Sequence, residues 1–111
     1  MDKLKSYREY VQEFLVTHGS YKPSYGEVEV EQVFDTVRDH YQIVHVGWEN
    51  KRRVYGCSMH IDIIDEKIWI QWNSTEVDIA DELAAMGVPK QDIVIGFHSP
   101  FKRQFTDYAV G

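Results

Sequence analysis

Apolar and polar residues alternate along four successive segments between Val28 and Trp72, and this alternation constrains the fold more than any other feature of the chain. A period of two sends neighbouring side chains to opposite faces of a strand. In the first segment Val28, Val30 and Phe34 alternate with Glu27, Glu29, Glu31 and Asp35. The second sets Val44, Val46 and Trp48 against Tyr41, Ile43 and His45. In the third, Tyr55, Cys57, Met59, Ile61 and Ile63 oppose Val54, Ser58, His60 and Asp62. The fourth sets Ile68, Ile70 and Trp72 against Trp69 and Gln71. Such a pattern marks an antiparallel sheet with one buried face.

The turns between these segments set the register, because a slip of one residue sends every side chain to the wrong face. A two-residue turn at Asn50-Lys51 pairs Trp48 with Arg53, Val46 with Tyr55 and Val44 with Cys57. A turn at Asp65-Glu66 pairs Ile63 with Ile68, Ile61 with Ile70 and Met59 with Trp72. A three-residue loop, Arg38-Asp39-His40, pairs Phe34 with Val44 and keeps the apolar faces together. Val44, Val46, Cys57, Met59, Ile61 and Ile70 are therefore expected in one core.

Two helices should flank the sheet. Over residues 2–18, Leu4, Tyr7, Val11, Phe14, Leu15 and His18 form one stripe at helical spacing, with Asp2 as N-cap and Gly19 beyond the end. A second helix is expected to begin near Thr75, with Thr75 and Asp78 as a capping box and Gly87-Val88-Pro89 as its stop. Residues 20–26 read as a loop and 93–97 as a buried strand or extended segment. The expected fold is α+β. A four-stranded antiparallel β-meander carries an N-terminal helix and a C-terminal-half helix on one face, as a single domain over residues 1–111.

Charge and cysteine content narrow the function. The net charge of −6 lacks the basic balance of an autonomous nucleic-acid binder, so direct nucleic-acid binding is not expected. Lys51-Arg52-Arg53 and Lys102-Arg103 do not build a basic face, and Arg52 faces Glu49 across a turn. One cysteine, Cys57, excludes an intrachain disulfide and fits a cytoplasmic protein. The charged N-terminus does not read as a signal peptide, and no apolar run is long enough to span a membrane.

No catalytic, cofactor or metal site is expected. His45, His60 and Asp62 share one sheet face by parity, but the two imidazoles start ~14 Å apart. His60 and Asp62 alone give too few ligands for a closed zinc site. Cys57 falls in the expected core, where a thiol is an inert small hydrophobe. The outer sheet face draws more attention. Tyr41, Ile43, His45 and Trp69 fall there, large and mostly apolar, and read as a protein-docking surface, with homo-oligomerisation as one use. The alternative is that the C-terminal tail, with Phe101, Phe105 and Tyr108, covers that face.

The wording of the chain is more specific than its pattern. MDKLKSYREYVQEFL, SYKPSYGEVEVEQVFDTVRDHYQIVHVGW, RRVYGCSMHIDI and KIWIQWNSTEVDIADELAAMGVPKQDIVIGFHSPFKRQFTDYAV together resemble the XisI family of fdxN element excision controlling factors along essentially the whole length. The resemblance implies a non-enzymatic regulator of programmed site-specific DNA excision in heterocyst-forming cyanobacteria. It implies partners of the XisH type, which resembles a nuclease fold, and of the XisF recombinase type. It brings no catalytic residues to this chain. An antitoxin-like inhibitor of a nuclease-fold partner, presenting Glu27, Glu29, Glu31 and Asp35, and a small-ligand sensor are the alternative expectations.

Overall fold

The computed structural model describes residues 2–19 and 26–111. The expected 20–26 loop therefore lies outside the described residues, except for Gly26. Helix α1 (Lys3–Gly19) starts where the Asp2 carboxylate accepts from the amides of Leu4 (3.1 Å) and Lys5 (3.3 Å). These are donors that the first helical turn leaves without intrahelical partners. Its stripe of Tyr7, Val11, Phe14 and Leu15 is buried, as its spacing predicts.

Strands β1 (Glu27–Asp35), β2 (His40–Glu49), β3 (Arg52–Ile64) and β4 (Lys67–Asn73) form the antiparallel meander. A fifth strand, β5 (Ile93–Ile95), lies parallel to β4, so the sheet is five-stranded and mixed rather than four-stranded and antiparallel. The reason is the connection. Residues 74–92 contain helix α2 (Ile79–Met86), and a crossover of this length returns the chain in its original direction. The short helix α3 (Pro100–Arg103) follows, and Ala109 bridges Val94 at the sheet edge.

The hairpin registers hold close to their turns. Trp48 pairs with Arg53, Val46 with Tyr55, and Val44 with Cys57. Ile63 pairs with Ile68 and Ile61 with Ile70, across a turn in which Asp65 and Glu66 both take positive φ. The β1–β2 register differs from expectation. Phe34 pairs with Tyr41, not Val44, because the turn spans Thr36–Asp39. The Asp35 carboxylate shapes this turn by accepting from the amides of Val37 and Arg38, both at 2.9 Å, and Asp39 closes it at φ 61°.

Two bulges decide the faces. Ile43 pairs with Met59 and Val44 with Cys57, so Ser58 has no opposite residue. On β4 Gln71 is the extra residue, so Trp72 faces His60 and Asn73 faces Met59. Across the Ser58 bulge the alternation of β3 reverses. Met59, Ile61 and Ile63 point toward the helices, while Cys57 follows Val44 to the opposite face. The expectation that Cys57 and Ile61 share a face is therefore overturned. The core contains Tyr41, Ile43, Met59, Ile61, Ile68 and Ile70 under Val11, Phe14, Leu15 and Leu83, and Val44, Val46 and Cys57 stand outside it.

Helix α2 begins later than Thr75. Thr75 instead donates its amide (2.9 Å) and hydroxyl (2.6 Å) to Asn73, and Asp78 caps the helix through the Asp81 amide. Its end is as expected. Gly87 at φ 119° donates to Ala84, and Val88 donates to Leu83.

Candidate functional site: the helix-free face of the sheet

Both core-forming helices cover one face of the sheet, and the other face is the candidate site. It differs from the face that parity alone singles out. Tyr41 and Ile43, expected to dock a partner, are 0% and 1% exposed in the core. His45 lies on the helix-covered side at its rim, with Nε2 3.1 Å from Ser58 Oγ, beside His18 and Gly19. Trp69 alone of the four lies on the helix-free face. The Arg103 guanidinium sits 5.1 Å above its ring. That guanidinium is held by the carbonyls of Ile95, Gly96, His98 and Val110.

What the open face does present is Trp48 (49% exposed), Tyr55 (73%) and Trp72 (50%), with Val33 and the half-buried Val44, Val46 and Cys57 between. Arg53 lies 5.3 Å over the Trp48 ring. The tail meets this face at Trp69, through Arg103 of α3. Phe101 and Phe105 pack edge to face on each other at 5.2 Å and remain exposed, while Tyr108 packs against the core. Burial pushes the Cys57 thiol above its ordinary pKa, which disfavours the thiolate a nucleophile requires. The basic hairpin tip is partly neutralised, since Arg52 pairs with Glu49 as expected.

At the other end of the same face the Asp62 carboxylate gathers three polar side chains. His40 Nδ1 lies 2.9 Å and His60 Nε2 2.8 Å from the same oxygen, Oδ1. Gln71 donates to Oδ2 at 3.2 Å, and the Gln42 amide lies 3.4 Å from His60 Nδ1. His40 stands directly opposite Asp62, and His60 is two residues along the same strand. The sequence reading counts His60 and Asp62 as a pair and leaves His40 in a loop. The four-residue turn and the Ser58 bulge together move His40 into β2 and into register with Asp62. Counting parity through a bulge-free strand could not find it.

A cavity of about 240 Å³ lies between α2 and the β4–β5 edge, lined by residues that include Ile70, Ile79, Ala80, Phe97 and His98. It falls below the ~300–1,000 Å³ usual for small-molecule sites.

The sequence matches the XisI protein family model over residues 1–110. The chain belongs to the XisI family. Solved structures agree. A XisI-like protein from Anabaena variabilis ATCC 29413 is 47% identical and superposes with a TM-score of 0.91, over 97% of this chain and 99% of that one. The fdxN element excision controlling factor XisI from the same organism is 36% identical, with a TM-score of 0.88 over 99% of this chain and 100% of that one. No protein of curated function matches. Among the described residues no helix is long and apolar enough to cross a membrane.

Proposed function

We propose that this XisI-family protein is a non-enzymatic controlling factor for programmed site-specific DNA excision. It acts by binding other proteins, a nuclease-like companion of the XisH type, a recombinase of the XisF type, or both. Membership of the family and likeness to an excision controlling factor support the role. The observation that carries the mode of action is the helix-free sheet face with Trp48, Tyr55 and Trp72 exposed on it. Exposed aromatics flanked by polar groups are the usual anchors of a protein interface. A net charge of −6 favours a basic protein partner over DNA.

Co-purification with XisH and with XisF tests this reading. Retention of one of them by the native protein, and its loss on Tyr55→Ala or Trp72→Ala, is the expected result. Equal retention by native protein and variants would move the docking surface elsewhere, and retention of neither would remove the adaptor role.

A second reading rests on β1, an edge strand with Glu27, Glu29 and Glu31 exposed along it. Such a row of carboxylates suits an inhibitor that enters the basic channel of a nuclease-fold partner. A nuclease assay on XisH with and without this protein separates the two readings.

A further inference from the structure

We propose that His40, His60 and Asp62 form a binding site for a divalent first-row transition-metal ion on the helix-free face. One donor atom from each lies within 4.8 Å of the other two. His40 Nδ1 and His60 Nε2 both approach Asp62 Oδ1, at 2.9 and 2.8 Å. Donors bound ~2.0–2.2 Å from a tetrahedral zinc sit roughly 3.3–3.5 Å from one another. Small side-chain rotations therefore open the hydrogen-bonded cluster into a coordination shell without backbone movement.

The surroundings favour this use. The three ligands stand on paired strands, two of them directly opposite, so the scaffold fixes their spacing. Asp62 is buried, so its carboxylate stands on polar partners, two of which, His40 and His60, are themselves metal-ligating side chains. Gln71 holds Oδ2 at 3.2 Å and leaves Oδ1 for the ion. Gln42 Nε2 lies 3.4 Å from His60 Nδ1, and turning the amide over presents its oxygen to accept the Nδ1–H, which places the lone pair on Nε2. Such outer partners orient ligands and raise their basicity. Two imidazoles and one carboxylate suit zinc, cobalt, nickel or ferrous iron better than magnesium or calcium. Three protein ligands leave a position open toward the shallow depression lined by Val33, Asp35 and Gln42. That is the arrangement of an ion that also accepts an outside ligand.

The experiment is a cobalt titration of the chelator-stripped full chain, followed by visible absorption, with zinc as competitor. The expected result is one equivalent bound, with bands of a four- or five-coordinate ion that zinc displaces. His40→Ala and His60→Ala should each abolish the bands while melting temperature stays near that of the native chain. Gln71→Ala should keep the site and weaken it by about 10–100-fold. Absence of stoichiometric cobalt binding by the native chain would overturn the proposal whatever the variants do. Binding that persists in the double variant His40→Ala, His60→Ala would do the same.

Discussion

The guanidinium of Arg8 on α1 grips the carboxylate of Asp39 in the β1–β2 turn with two N–H groups, Nε at 2.8 Å and Nη2 at 3.1 Å. Tyr41 donates its hydroxyl to the same carboxylate at 2.9 Å from within the core. This cluster ties the first helix to the turn that sets the β1–β2 register.

Acid stability should depend on it. The Arg8 hydrogen bond lowers the Asp39 pKa against burial, and the Tyr41 hydroxyl adds to the lowering. A carboxyl depressed in the fold binds protons more readily in the unfolded chain. Its contribution is therefore present above the ordinary Asp value of ~3.9 and lost as pH falls through the folded value. Arg8→Ala removes the main cause, so acid unfolding should begin at higher pH, read from circular dichroism against pH. Coincident acid transitions for the native chain and the variant would contradict this.

Tyr41→Phe should cost about 1.5–3 kcal/mol, the value of a hydrogen bond to a charged group. Chemical denaturation measures it. A cost near zero would mean that Arg8 alone satisfies Asp39.

Two tyrosines should behave in opposite ways. Tyr41→Ala empties a fully buried position and should cost roughly 3–5 kcal/mol of stability. Tyr55→Ala, on an exposed aromatic, should leave the melting temperature unchanged and weaken partner binding by ~2 kcal/mol or more if it anchors the interface. A large loss of stability in Tyr55→Ala would show that this side chain supports the fold instead.

Leu15 tests the docking of α1. It is fully buried among core residues of the sheet, so Leu15→Ala should cost roughly 2–5 kcal/mol by denaturant titration.

Gly47 tests the packing of β1 on β2. It pairs with Val28, and a Cβ there would press on the Glu27 carbonyl and lie 2.6 Å from Val28 Cα. Gly47→Ala should displace β1, seen as faster hydrogen exchange at Glu27–Val30 amides. Unchanged exchange would show that the edge strand accommodates the methyl group freely.

The sequence by itself determined the elements whose signals are local. The stripe from Tyr7 to Leu15, the Asp2 cap, the Gly87 stop and the two-residue turns at Asn50-Lys51 and Asp65-Glu66 depend on neighbours a few residues apart. Family membership was legible for the same reason, since it is written in contiguous wording. Which face each strand buries was not legible past the bulges. Ser58 and Gln71 carry no residue type that announces a bulge, and each becomes one only through pairing with a neighbouring strand. Tyr41 and Ile43 passed into the core for that reason, and His40 passed from a loop to a place opposite Asp62. A buried strand at Ile93–Ile95 was legible from its apolar residues, but its parallel pairing with β4 depends on where α2 returns the chain. Turns and caps are short-range chemistry; the faces, and with them the candidate site, are decided by strand pairing between residues distant in sequence.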